Sequence, residues 1–316
     1  MLDVQGLEVD YFSGTSSVRA TRGVSFNVAA GTATALVGES GSGKSTVAMA
    51  IMRMIRPPTG DVVGGRILID GTDVLSISDR EMREVLRNRI GFVPQDPTTA
   101  LDPLFPVGSQ IAEAMPSVAR GERTAKIVDL LSSLGIGDAD GRMRAYPHEF
   151  SGGMCQRVAI AIALAGNPSV LIADEPTTAL DVTTQVGILR LLDELRRERQ
   201  LATLLITHNV HVARLLCQHV IVMYGGVVVE SGPVSEIMED PRHPYTRALM
   251  DSSAQGRRPR EPLHTIAGQP PTLGDMPIGC PFAPRCERAH EVCRAEMPDT
   301  TVQGARIFSC WNPEAS

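Results

Sequence analysis

Apolar and polar side chains alternate over the first 30 residues, with Leu7, Val9 and Tyr11 and then Val24, Phe26 and Val28 in phase. A period of two predicts half-buried strands, with a turn at Ser13-Gly14. The apolar run TATALVG predicts a buried strand entering a Gly-rich turn. STVAMAIMRMI follows with helical spacing and is expected to stop at Pro57-Pro58. GGRILIDG reads as strand, SDREMREVLRNR as a short charged helix and IGFVPQ as strand again.

The pattern changes between about 96 and 165, where GSQIAEAM and TAKIVDLLSSLGI have helical spacing and no strand signal. This segment reads as a helical subdomain inserted into an α/β core. Beyond it, SVLIAD and LATLLIT predict buried strands, TQVGILRLLDELRRERQ an amphipathic helix and VHVARLLCQ a second helix. HVIVMYGGVVVES predicts two strands joined at Gly225-Gly226. Strands alternating with helices imply a mostly parallel sheet covered on both faces. From Arg257 to about Gly279 the chain is rich in Pro and Gly and reads as a linker.

Composition narrows the picture. The 316 residues are 43% hydrophobic and 21% charged, ordinary for a globular chain. A net charge of −6, from 30 basic and 36 acidic residues, argues against a binder of nucleic acid held by phosphate contacts. No apolar run approaches the roughly 20 residues that span a bilayer. MLDVQGLEVDYF lacks a basic segment followed by an apolar one, so no signal peptide is expected and the chain is expected in the cytosol. Thiols there stay reduced, which makes clustered cysteines candidates for metal or redox chemistry.

Three motifs carry chemistry. GESGSGKST fits G-x-x-x-x-G-K-[ST], running through Gly38, Glu39, Ser40, Gly41, Ser42, Gly43, Lys44, Ser45 and Thr46. The glycines let backbone N–H groups wrap a phosphate at a helix N-terminus; Lys44 is expected on the β- and γ-phosphates and the Ser45 hydroxyl on Mg²⁺. A Gly/Ser-rich surface turn is the bland alternative, disfavoured by the flanking strand and helix. SVLIADEP brings Asp174 and Glu175 out together at the carboxyl end of a buried strand. One carboxylate can hold a Mg²⁺-bound water and the other can orient or deprotonate the attacking water. Alone, the pair would sooner be an acidic helix start; beside a phosphate loop in the same chain that becomes the minority reading. FSGGMCQR places Ser151, Gly152, Gly153 and Met154 at a second helix N-terminus, a further anion cradle or a plain cap. Two cradles with one Mg²⁺ site suggest a sandwich in which each of two chains closes the other's ATP.

In this order, the phosphate loop, FSGGM, LIADEP and TTALD, with Gln95 in VPQD and His208 in LLITHN, resemble the ATPase subunit of an ABC transporter over residues 1 to about 250. The resemblance implies a P-loop ABC-type nucleotide-binding domain, mostly parallel with antiparallel N-terminal strands. It implies Gln95 on Mg²⁺ and the water, Asp181 across a dimer interface, His208 on the γ-phosphate and Tyr11 stacked on adenine. A core role is the plain alternative for both Tyr11 and His208. Phe150 and Met154 depart from the usual LSGGQ and resemble the oligopeptide/dipeptide importer branch, as does DPRHPYTRALM. Cys155, where many of that branch have arginine, and Cys217 read as buried thiols.

A tail from 251 to 316 holds Cys280, Cys286, Cys293 and Cys310, spaced x5, x6 and x16. Four thiolates suit a 4Fe–4S cluster or Zn²⁺; the absence of C-x2-C pairs favours the cluster, with reduced or paired thiols left as the third reading. Some of the importer branch are similar in holding a cluster there. Such a cluster would staple a tail poor in apolar residues. The resemblance further implies two membrane-spanning permeases, a second ATPase subunit, an extracytoplasmic solute-binding protein, a place on the cytoplasmic face of the membrane, and uptake of short peptides. Nickel or another small solute is the alternative cargo. An ABC ATPase of DNA repair or translation is the alternative class, disfavoured by the acidic balance and by the lack of tandem nucleotide domains. A metabolic kinase sharing the phosphate loop would leave FSGGM and TTALD unexplained.

Overall fold

A computed structural model describes residues 1–14, 16–178, 180–252, 265–272 and 274–314. The strands, in chain order, are β1 (Leu2–Ser13), β2 (Ser16–Val28), β3 (Ala33–Val37), β4 (Gly60–Ile69), β5 (Thr72–Asp73), β6 (Ile90–Val93), β7 (Val170–Asp174), β8 (Ala202–Thr207), β9 (His219–Tyr224), β10 (Val227–Pro233), β11 (Thr301–Gln303) and β12 (Arg306–Phe308). They form a four-stranded antiparallel sheet, β2-β1-β4-β5, and an eight-stranded mixed sheet, β11-β12-β10-β9-β3-β8-β7-β6. Strands β9, β3, β8, β7 and β6 run parallel to one another, and β10 pairs antiparallel with β9. The expected combination of a parallel sheet with antiparallel N-terminal strands is therefore present.

The parallel strands are apolar throughout because both faces are covered. All five residues of β3 and all six of β8 are buried. Their pleat divides the core into two clusters. Leu36, Ile172, Leu204 and Ile206 pack toward β1, β4 and the helix Lys44–Ile51. Ala35, Val37, Leu171, Ala173 and Leu205 face the other way, in one cluster with Ile111, Ile127, Leu131, Val158 and Leu192. Those five lie on the helices Val107–Glu113, Arg120–Ser133, Gly152–Ala165 and Val182–Arg199, so the inserted helical segment shares its core with the sheet.

Several boundaries differ from the sequence expectation. The helix after the phosphate loop stops at Ile51, well before Pro57. Arg53 takes a left-handed backbone, φ 55°, and its guanidinium donates to the carbonyls of Val74 and Ile77 and to Asp79. A tertiary contact, not the proline pair, ends this helix. Strand β5 has only two residues, too short for a period to register. The turn between β9 and β10 is Gly225-Gly226, both at positive φ, with Tyr224 opposite Val227, as a two-residue hairpin requires.

The linker expected over Arg257–Gly279 falls partly outside the described residues; its described stretches carry no helix or strand. The tail beyond it is more ordered than its composition suggests. It contains a helix, Glu291–Ala295, and the hairpin β11–β12, and β12 pairs with β10 through Glu230–Phe308 and Ser231–Ile307. Its Phe282 ring lies 5.2 Å from that of Tyr224 and 5.3 Å from that of Tyr245. A few large side chains suffice because the rest of the chain supplies the surface they pack on.

Gly91 in β6 shows how closely the helix Gly152–Ala165 is seated. A Cβ there would stand 2.4 Å from the backbone oxygen of Ala163. Gly91→Ala is expected to destabilise the protein by about 1–3 kcal/mol, the usual cost of overpacking. Denaturant unfolding measures this; a midpoint equal to wild type would show that the helix and β6 are free to separate.

Candidate active site

Adjacent parallel strands deliver the polar residues to one edge of the sheet. Gly38 follows β3, Gln95 follows β6, Asp174 ends β7, and His208 follows β8. Ligand sites in such sheets lie outside the carboxyl ends of the strands. Here a cavity of about 750 Å³ lies there, lined by residues including Gly41, Lys44, Ser45, Gln95, Asp174, Glu175 and His208.

The phosphate loop is shaped by what surrounds it. A Cβ on Gly38 would meet the backbone oxygen of Met223 at 2.2 Å, so the strand-to-loop exit admits only glycine. Gly43, at φ 103°, precedes the first helical residue and turns the chain into the helix. Lys44 Nζ donates to the carbonyls of Gly38 (2.8 Å) and Glu39 (2.9 Å). Burial lowers the pKa of Lys44, with the charges of Glu175, Asp174 and Glu39 acting in opposition.

The two carboxylates of SVLIADEP differ in surroundings. Burial pushes the Asp174 carboxyl up, against a hydrogen bond from the Ser45 hydroxyl. Burial also acts upward on Glu175, but hydrogen bonds from His208 and Thr178 and the charges of His208 and Lys44 outweigh it and hold this carboxyl below its ordinary range. His208 Nδ1 lies 2.8 Å from Glu175 Oε1, while Thr178 Oγ1 (2.9 Å) and Gln95 Nε2 (3.2 Å) donate to Oε2. The Glu175 backbone is left-handed, φ 45°, a costly conformation for a residue with a Cβ. Its N–H donates to the Ile206 carbonyl at 2.9 Å, which ties it to β8. Ser45, Asp174 and Gln95 line the same cavity and carry oxygen donors of the type that suits Mg²⁺.

The other sequence candidates lie elsewhere. Ser151 caps the helix Gly152–Ala165, accepting from the Met154 N–H at 3.4 Å, and Asp181 caps the helix Val182–Arg199, accepting from Thr184 N–H (3.0 Å) and Oγ1 (2.7 Å). The two helix starts touch: a Cβ on Gly153 would lie 2.6 Å from Thr184 Cγ2. Neither Ser151 to Met154 nor Asp181 lines the cavity. Tyr11 is also outside the lining, its hydroxyl 3.4 Å from Thr46 Oγ1; Ala20 of β2 borders the cavity instead. Thr178 is a partner of Glu175 that motif reading passes over, although it stands in TTALD. Cys155 and Cys217 are buried thiols, the latter pushed up to about 12 by burial.

Cys280, Cys286, Cys293 and Cys310 all line a second, small space of about 20 Å³, with Phe282 and Trp311. All four are free thiols. Burial raises Cys280 to about 11 and Cys310 to about 12, and the neighbouring thiols push the same way. Among the described residues, no three His, Cys, Asp or Glu side chains are disposed to hold one metal ion. The space matches about one water molecule.

Comparison with known proteins agrees with this geometry. Residues 21–178 match the ABC transporter family, and residues 229–293 match the oligopeptide/dipeptide transporter C-terminal region. The chain is 46% identical to the "Probable peptide ABC transporter ATP-binding protein y4tR" of Sinorhizobium fredii, covering 98% of this chain and 94% of that one. It is 41% identical to the dipeptide transport ATP-binding protein DppD of Bacillus subtilis, over 98% and 94% of the two chains. Among solved structures it is similar to the ATP-binding cassette MJ0796, a dimer in a post-hydrolysis state bound to ADP and Pi, with 29% identity and a TM-score of 0.66 over 74% of this chain and 99% of that one. The chain belongs to the ABC transporter family of ATPases.

His208→Ala removes both a hydrogen bond and a charge that hold Glu175 ionised. The pKa of Glu175 is then expected to rise, moving the acid limb of the ATPase pH–rate profile to higher pH whatever the loss in maximal rate. An unmoved limb would separate His208 from the ionisation of Glu175.

Proposed function

We propose that this chain is the ATP-hydrolysing subunit of an importer of short peptides, working head-to-tail with a second ATPase subunit on the cytoplasmic face of a membrane. The observation that carries the ATPase reading is Glu175, fixed by Gln95, Thr178 and His208 beside the phosphate loop. The peptide reading rests on the relatives' names and on the C-terminal match. Among the described residues no helix is long and apolar enough to cross a membrane. The solute path is assigned to two permease partners and solute delivery to an extracytoplasmic binding protein.

In this reading the N–H groups of the loop Gly41–Thr46 and the Lys44 ammonium hold the β- and γ-phosphates. Glu39 and Ser40 shape the loop's entry beside Gly38. Mg²⁺, held through Ser45, Gln95 and Asp174, screens phosphate charge when bound. Glu175 accepts a hydrogen bond from the attacking water and takes its proton, while Gln95 and His208 keep the carboxylate aimed; His208 also faces the γ-phosphate. The products are ADP and inorganic phosphate. Ser151 to Met154 face the partner's ATP, with Asp181 beside them, which agrees with their lying together and away from their own chain's cavity. Tyr11 is placed against the adenine.

Glu175→Gln is expected to lower turnover by at least about 100-fold, the scale of a lost general base, while retaining ATP binding and accumulating a nucleotide-bound dimer. Steady-state hydrolysis with size-exclusion chromatography measures both; wild-type turnover would remove Glu175 from this role.

The tail thiols are assigned to a 4Fe–4S cluster, with Zn²⁺ as the second candidate. The four thiols line one space, which as placed fits about one water and brings no three of them to a single metal ion, so the tail must open for a cluster to bind. Anaerobic purification followed by iron, acid-labile sulfide and zinc assays is expected to find about four irons and four sulfides per chain. Colourless protein with none of the three would leave the thiols as packing residues.

A further inference from the structure

Two C-terminal residues with no part in hydrolysis end on the phosphate loop. Tyr245, of His243-Pro244-Tyr245, accepts a hydrogen bond from the Glu39 backbone N–H at 2.8 Å. Arg285, immediately before Cys286, grips the Glu39 carboxylate as a fork, Nη1 to Oε2 at 2.5 Å and Nη2 to Oε1 at 3.2 Å. The remaining donors of Arg285 reach the Tyr224 hydroxyl (3.0 Å) and the carbonyls of Ile266 (3.1 Å) and Ala267 (2.8 Å). All five N–H groups of the guanidinium are thereby used. The Arg285 side chain is 5% exposed and that of Glu39 26%, so solvent screens the pair only in part.

Each partner is itself held. The Tyr245 ring is buried against Tyr224 at 4.5 Å. Its helix is anchored at the start, where the buried Glu230 carboxylate accepts from the N–H groups of Arg242 (2.8 Å) and His243 (2.9 Å), and His243 Nδ1 accepts from Tyr245 N–H at 3.0 Å. On the far side of Glu39, its carbonyl accepts from Lys44 Nζ. A continuous set of charge-assisted bonds thus runs from the segment carrying Cys280 and Cys286 through Glu39 to the phosphate-binding lysine. A bidentate guanidinium–carboxylate pair fixes direction as well as distance.

We propose that Arg285, seconded by Tyr245, is a positioning residue for ATP: by fixing Glu39 it holds the phosphate loop and Lys44 in the conformation that receives nucleotide phosphates. The cysteine-bearing tail thereby sets nucleotide affinity. The inference rests on the reading of this loop as an ATP cradle. Coupling is reciprocal, so nucleotide binding in turn steadies the tail.

The test uses the full-length chain and measures MgATP affinity by calorimetry, with hydrogen exchange on the same samples. Lys44→Ala tests the cradle itself: failure of wild type to bind ATP more tightly than this variant would remove the cradle, and with it the present inference. Where wild type does bind more tightly, Arg285→Met is expected to weaken MgATP by about tenfold, within the usual range of coupled sites, with kcat at saturating ATP within about twofold. Glu39→Gln should weaken it similarly, and the double variant no further. In wild type MgATP should slow exchange at residues 280–286; in Arg285→Met it should not. Wild-type affinity in folded Arg285→Met, or losses that add in the double variant, would overturn the proposal. Should Arg285→Met fail to fold, wild-type affinity in Glu39→Gln, which opens the same pair from the loop side, overturns it equally.

Discussion

The carboxylate of Glu175 receives hydrogen bonds from three separate parts of the chain: Gln95 after β6, Thr178 in the turn after β7 and His208 after β8. A carboxylate with one partner can rotate; with three it has a single orientation. Holding it costs a left-handed backbone at a residue with a Cβ, and the surrounding bonds offset that cost. Everything near the cavity is arranged so that these three elements and the phosphate loop end side by side.

The parallel sheet makes that possible. Strands β3, β8, β7 and β6 are consecutive neighbours, so the loops leaving their carboxyl ends must be neighbours too. Their burial on both faces keeps the ends in register, because a slip of one residue would exchange Leu36 and Leu204 with Ala35 and Leu205 between two different cores. The helical segment follows a different rule. It packs on the same core yet presents Ser151 to Met154 away from the cavity, with its helix start in contact with the one that Asp181 caps. Within one molecule the loop Gly38–Thr46 and the helix start at Ser151 therefore do not meet.

The C-terminal region adds a further layer to the loop. β12 extends the main sheet at β10, Phe282 packs on two tyrosines, and Arg285 closes on Glu39. Of the thiols, Cys286 follows Arg285 directly in the chain, and all four line one small space.

By itself the amino-acid sequence determined the strand and helix periods, the Gly-rich loop before a helix and the acidic pair ending an apolar strand, because each is a local pattern set by backbone geometry. It also brought the family resemblance into view, since the motifs have fixed spacing and order. The end of the helix at Ile51, the partners of Glu175, the separation of Ser151 from the cavity and the reach of Arg285 to Glu39 were decided only by tertiary structure. Glu39 and Arg285 stand 246 residues apart, and no period or motif links them. What joins them is the packing of the tail on the sheet, and that depends on every element laid down between the two.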